Sequence, residues 1–135
     1  MSDLGLTHVA LPVRALAASI AFYAKYANMQ VIHRRHGVVW LSDRTRPFAI
    51  VLIESAAEIH PLLPIAHLGV GVATRADVDR LCQLAGADGC LLRPAADSGP
   101  PVGYWALLRD PDGHTLELAY GQELGLAVDA APPLA

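Results

Sequence analysis

Three short stretches of the chain alternate apolar and polar positions with a period of two. They are 6–13 (LTHVALPV), 66–73 (AHLGVGVA) and 114–120 (HTLELAY). Side chains alternate faces along a strand, so each stretch predicts a β-strand with one apolar side. Val9, Leu11 and Val13 flank His8; Leu68, Val70 and Val72 flank His67; Leu116, Leu118 and Tyr120 flank Glu117. The side that carries the ionisable residue is otherwise small, with Ala10, Gly69, Gly71, Thr115 and Ala119. Each strand therefore sets one polar group among residues that leave room beside it.

Helical spacing follows the first two of these strands. Leu16, Ile20, Tyr23 and Ala27 lie on one side of a helix predicted over about 14–26, and Val78, Leu81, Cys82 and Ala85 on one side of another over about 75–85. Thr74, with Asp77 three residues on, reads as a helix-start cap, and Gly86 and Gly89 close the second helix. Further strand-like stretches fall near 29–36, 38–42, 48–54, 89–92 and 103–109, and Asp110-Pro111-Asp112-Gly113 turns the last of them into 114–120. Laying His8 on His67 makes the two halves repeat each other as β-α-β-β-β. The expected organisation is a single α+β domain of two modules, about 4–54 and 65–122, with a linker at 55–64 and a loose tail at 123–135.

At 135 residues the chain has room for one core or two small ones. It is 53% hydrophobic and 17% charged, and Arg, His, Pro or Gly interrupts each apolar run short of the roughly 18 residues of a membrane span. MSDLGLTH has no basic segment leading into an apolar one, so no signal peptide is expected. A net charge of −3 with scattered arginines gives no basic stripe for nucleic acid. Cys82 and Cys90 show no metal-ligand spacing, and Cys82 is expected as a buried thiol. These features point to a cytoplasmic protein, and so apolar a short chain suggests a buried interface and a homodimer.

Two neutral imidazoles and a carboxylate suit a divalent metal, and three protein ligands leave positions open for water or substrate. His8, His67 and Glu117 are the candidate ligands. His33 and His36 lie in an Arg-rich edge-like stretch, His60 in the linker and His114 just after the turn, and all four are expected at the surface.

The paired β-α-β-β-β pattern, a His opening each half and the closing DPDGHTLEL resemble the vicinal oxygen chelate superfamily, over about residues 4–122. That group includes glyoxalase I, extradiol dioxygenases, fosfomycin-resistance transferases and bleomycin-binding proteins. The resemblance implies two modules forming a curved mixed sheet around a shared cleft, with a divalent metal (Fe(II), Mn, Zn or Ni) held by His8, His67 and Glu117. It also implies a homodimer in which His8 of one chain stands beside His67 and Glu117 of the other.

Glyoxalase I has a fourth ligand on the last strand of its first module, where Leu52 aligns. Glu54, two residues on, faces the same way as Leu52 and becomes the candidate for a shifted ligand or for the catalytic base. LLRDPDGHTLEL is similar to the closing motif of extradiol dioxygenases, but Leu107 stands where they place a Tyr. By parity Trp105, Leu107 and Arg109 share a face and, with Leu52, are the expected substrate-lining residues. SGPPVGYW lacks the polar ion-binding loop of fosfomycin transferases, and the retained ligands set the chain apart from bleomycin-binding members. The expected function is a metal-dependent enzyme acting on a small substrate with adjacent oxygens, extradiol-dioxygenase-like or a glyoxalase-like lyase. The alternative is a non-catalytic protein that sequesters a hydrophobic small molecule.

Overall fold

The computed structural model describes residues 2–134 and divides into two compact units. One comprises the chain up to Pro61 together with Asp110–Gly113; the other comprises Leu62–Arg109 and the chain from His114 onward.

In the first unit β1 (His8–Val13) is followed by α1 (Leu16–Ala27), β2 (Gln30–Arg35), β3 (Val38–Ser42) and β4 (Ala49–Glu54). The second unit repeats the order with β5 (Leu68–Gly71), α2 (Arg75–Asp88), β6 (Leu91–Asp97), β7 (Tyr104–Arg109) and β8 (Thr115–Tyr120), and adds α3 (Leu124–Ala130). Each unit holds a four-stranded mixed sheet, ordered β1-β4-β3-β2 and β5-β8-β7-β6. In each, the first and last strands pair in parallel and the others antiparallel. The duplication read from the sequence is thus present in topology.

Each sheet buries one face under its helix. Leu11, Val13, Ile50, Leu52, Val39 and Leu41 are buried in the first unit, and α1 packs on β2, β3 and β4. Leu108, Leu116 and Leu118 are buried in the second, and α2 packs on β6, β7 and β8 through Val78, Leu81 and Ala85. Each fully buried aliphatic side chain of this kind contributes about 1.5–3 kcal/mol. The buried stripe of α1 is Ser19, Phe22, Tyr23, Tyr26 and Ala27, so the helix is rotated from the expected face and Leu16 and Ile20 lie at its margin.

The helix ends follow local chemistry. Thr74 caps α2 by accepting from the Asp77 N–H at 3.1 Å and donating to the Asp77 carboxylate at 2.8 Å. The helix runs through Gly86, contrary to expectation, and closes at Gly89 with φ at 75°. No side chain of its own caps α1. Asp112 of the β7–β8 turn holds the chain entering the helix, accepting from the Arg14 N–H at 2.9 Å and from the Ser19 hydroxyl at 3.4 Å. In the same turn Asp110, 4% exposed, accepts from the Tyr23 hydroxyl at 2.8 Å. Burial, and then the Asp110 carboxylate, pushes the Tyr23 phenol above its ordinary range. The two aspartates of DPDG therefore anchor a turn to α1.

The expected loose tail contains a short helix, α3, none of whose residues is buried. Among the described residues no helix is long and apolar enough to cross a membrane.

Candidate functional site

Register decides which side chains share a face. In the second unit Gly69 pairs with Glu117 and Gly71 with Ala119, and parallel partners point the same way. His67, one residue before β5, continues the alternation of Gly69 and Gly71. Its Nδ1 lies 2.9 Å from the Pro64 carbonyl oxygen. A carbonyl only accepts, so Nδ1 carries the proton and Nε2 is left with its lone pair. Glu117 is 8% exposed and accepts from Gln122 Nε2 at 2.8 Å. A Cβ at Gly69 would stand 3.4 Å from Glu117 Oε2, so glycine keeps the space beside the carboxylate clear.

The same face continues across the sheet. Glu117 pairs with Leu107 and Leu107 with Arg93, giving a row Gly69–Glu117–Leu107–Arg93 over β5, β8, β7 and β6. Trp105 pairs with Ala119 and Arg109 with Thr115, so Trp105, Leu107 and Arg109 lie on the Glu117 side. Trp105 is half-buried and donates from Nε1 to Ser98 Oγ at 2.8 Å, and the Arg93 guanidinium stacks 4.1 Å from its ring centre. Sequence reasoning missed Arg93, because register shifts on both sides of it break the alternation of β6.

In the first unit His8 is exposed, with Nδ1 2.9 Å from the Thr7 hydroxyl. It pairs with Ala49, and its face continues with Ala10–Val51 and Pro12–Ile53. Leu52 pairs with Leu11 and Glu54 with Val13, on the opposite, helix-covered face. This corrects the expected placement of both: Leu52 is a fully buried core residue, and Glu54 ends the strand on the side away from His8. The residue that corresponds in register to Glu117 is Val51. A cavity of about 490 Å³ in this unit is lined by Thr7, Ser42, Arg44, Arg46, Phe48 and Ala49 among others.

His114 is not at the surface as expected. It is 1% exposed, and its Nδ1 accepts from the Leu62 N–H at 3.0 Å while the Thr115 N–H donates to the Leu62 carbonyl at 2.8 Å. It ties residue 62 to the start of β8. His33, His36 and His60 are exposed, and Cys82 is half-buried, its thiol pushed up chiefly by that burial. Among the described residues of the chain, no group of three or more His, Cys, Asp and Glu is placed to hold a metal ion.

Known proteins resemble the chain in sequence or in fold. A protein of Pseudomonas aeruginosa, uncharacterized protein PA2024, is 40% identical over 134 residues, covering 94% of this chain and 96% of the relative. A possible glyoxalase from Bacillus cereus superposes with a TM-score of 0.69 at 22% identity, covering 87% of this chain and 99% of that one. The fosfomycin resistance protein FosX from Listeria monocytogenes reaches a TM-score of 0.74 at 20% identity, covering 91% and 98%. A variant of that FosX, complexed with Mn(II) and a dihydroxypropylphosphonic acid, matches with a TM-score of 0.70 at 20% identity, covering 87% and 90%. At these identities the solved structures attest the fold alone. The family model for the Glyoxalase/Bleomycin resistance protein/Dioxygenase superfamily matches residues 5–118, and with the paired βαβββ units it places the chain in that superfamily.

Proposed function

We propose that the protein is a divalent-metal enzyme acting on a small substrate with adjacent oxygens, with His67 and Glu117 as two ligands and His8 of a second copy of the chain as the third. The observation that carries this reading is the pairing of a preset imidazole with an acceptor carboxylate on one face. The Pro64 carbonyl holds His67 with Nε2 free, and Glu117 stands beside a clear space at Gly69. A neutral imidazole and a carboxylate suit Fe(II), Mn, Zn or Ni. Bound there, the ion would polarise neighbouring substrate oxygens and stabilise a catecholate or enolate. The complex of FosX with Mn(II) lends the fold-level analogy its metal.

Of the two chemistries, the extradiol-dioxygenase-like one is favoured. Glu54 was the base for a glyoxalase-like isomerisation, and it lies on the face away from His8. Trp105 and Leu107 line the Glu117 face for an apolar or aromatic body, and Arg109 adds a cation.

Metal binding, subunit mixing and oxygen uptake test this. Protein purified without chelators and reloaded with Fe(II) or Mn(II) should bind one ion per chain, and His67→Ala should abolish binding. Mixing His8→Ala with His67→Ala chains should rebuild one intact site per mixed dimer. With Fe(II) loaded, a panel of catechols should drive oxygen uptake. Tight binding of an apolar ligand that needs no metal and survives His67→Ala would instead establish a sequestering protein.

A further inference from the structure

Arg93 lies on the same face as Glu117, two strands away, and at the usual spacing of about 4.8 Å between strands their backbones stand roughly 10 Å apart. Leu107, 6% exposed, lies between them and forms an apolar floor. The Arg93 guanidinium carbon lies over the Trp105 ring, 4.1 Å from its centre, and Trp105 is itself held by its hydrogen bond to Ser98 at 2.8 Å. A cation–π contact leaves the guanidinium N–H groups available to take an oxyanion by two parallel hydrogen bonds. Among the described residues no carboxylate forms an ion pair with Arg93.

We infer that Arg93, oriented by Trp105 and Ser98, is the specificity residue for a terminal oxyanion on the substrate. The substrate class is then a compact molecule with adjacent oxygens at the Glu117 end, an apolar body over Leu107 and against Trp105, and a carboxylate or phosphonate at the Arg93 end. This deepens the metal-enzyme reading and rests on it for the adjacent oxygens, while the oxyanion contact stands on Arg93 and Trp105 alone.

The probes are 3,4-dihydroxybenzoate and its methyl ester, alike in shape and different in charge. Binding is followed by Trp105 emission in a Trp40→Phe background and by calorimetry, with Mn(II)-loaded and metal-free protein. The acid should bind about tenfold or more tightly than the ester, as a charge-assisted pair implies. Arg93→Gln should erase that preference while leaving ester affinity, metal content and the circular dichroism spectrum unchanged. Arg93→Lys should keep part of it, because the charge stays and the planar fork is lost. Trp105→Leu should lower it by removing the support beneath the guanidinium. Equal affinity for acid and ester, or a preference that survives Arg93→Gln, overturns the inference. A preference that depends on Arg93 in protein that takes up no metal would sustain the oxyanion site and sink the metal reading.

Discussion

The two units share strand order, pairing direction and even a register shift in the second strand of each repeat, β2 and β6, yet corresponding rows carry different chemistry. Across β1, β4, β3 and β2 the row reads Ala10–Val51–Trp40–His33, and across β5, β8, β7 and β6 it reads Gly69–Glu117–Leu107–Arg93. His8 and His67 stand at equivalent places beside these rows. One copy puts a carboxylate and a guanidinium where the other puts valine and histidine. The difference teaches that the repeat supplies a scaffold with one imidazole per copy, and that the remaining polar groups are concentrated in the second unit. Aromatic stacking persists in both: His33 meets Trp40 edge-on at 4.9 Å, much as Arg93 covers Trp105.

The largest expected effects lie at the buried leucines. Leu52 and Leu118 occupy corresponding positions on the helix-covered faces, and both are 0% exposed. Truncating either to alanine should cost about 2–5 kcal/mol, measured by denaturant unfolding. Neither change should alter metal stoichiometry. A Leu52→Ala protein of normal stability and altered metal binding would show that Leu52 faces the site after all.

The neighbouring position asks the opposite question. On the proposed metal reading, Glu117→Gln should weaken metal binding by about 100-fold or more, since the anionic donor is replaced by a neutral amide. Val51→Ala, at the equivalent position in the first unit, should leave the metal dissociation constant within about twofold and cost about 1–2 kcal/mol of stability. Calorimetric metal titration of the two variants decides whether the asymmetry of the rows is chemical. Equal losses in both would make the two copies functionally equivalent.

Where the amino-acid pattern alternates, it was sufficient to place side chains. HVALPV and TLELAY each mix small or polar residues with large apolar ones, so their faces could be read directly. The pattern is silent in FAIVLIE, because residues that are apolar on both sides give no parity signal. Only pairing with β1 shows that Val51, not Leu52, shares the face of His8. Arg93 was illegible for a related reason: a strand that gains residues at a bulge no longer has a fixed two-residue period. His114 looked like a turn residue, and its burial depends on an N–H from Leu62, 52 positions away. The repeat and the helices were local patterns; faces on uniform strands and long-range partners were not.

The two units also differ in how the helix is anchored, and Tyr23 measures part of that difference. Tyr23→Phe removes the buried hydrogen bond to Asp110 and should cost about 1–2 kcal/mol near neutral pH. The sign with pH follows from the raised phenol. The unfolded chain releases that proton near pH 10 while the folded chain holds it, so the native state loses stability as pH rises above 10 and gains nothing below it. Urea unfolding at pH 8 and pH 11 should show a steeper loss for the wild type than for Tyr23→Phe. Parallel losses would mean that the phenol is not protected in the folded state.

The smallest effect concerns the caps themselves. The first turn of α2 is capped by its own Thr74, whereas α1 is tied at its entry by Asp112, 98 residues from Arg14. Thr74→Ala should cost about 1 kcal/mol, the usual worth of a side-chain N-cap. Asp112→Ala removes acceptors for both the Arg14 N–H and the Ser19 hydroxyl, so it should cost somewhat more, about 1–2 kcal/mol. The two differ in kind as well as size. Amide exchange in the Thr74→Ala protein should accelerate at the N-terminal turn of α2, while in Asp112→Ala it should accelerate at both the start of α1 and the β7–β8 turn. Acceleration confined to α1 would mean that the turn holds its shape without the helix, through the Gly113 N–H to Asp110 carbonyl bond of 3.0 Å and the Asp112 N–H to Asp110 carboxylate bond of 2.9 Å.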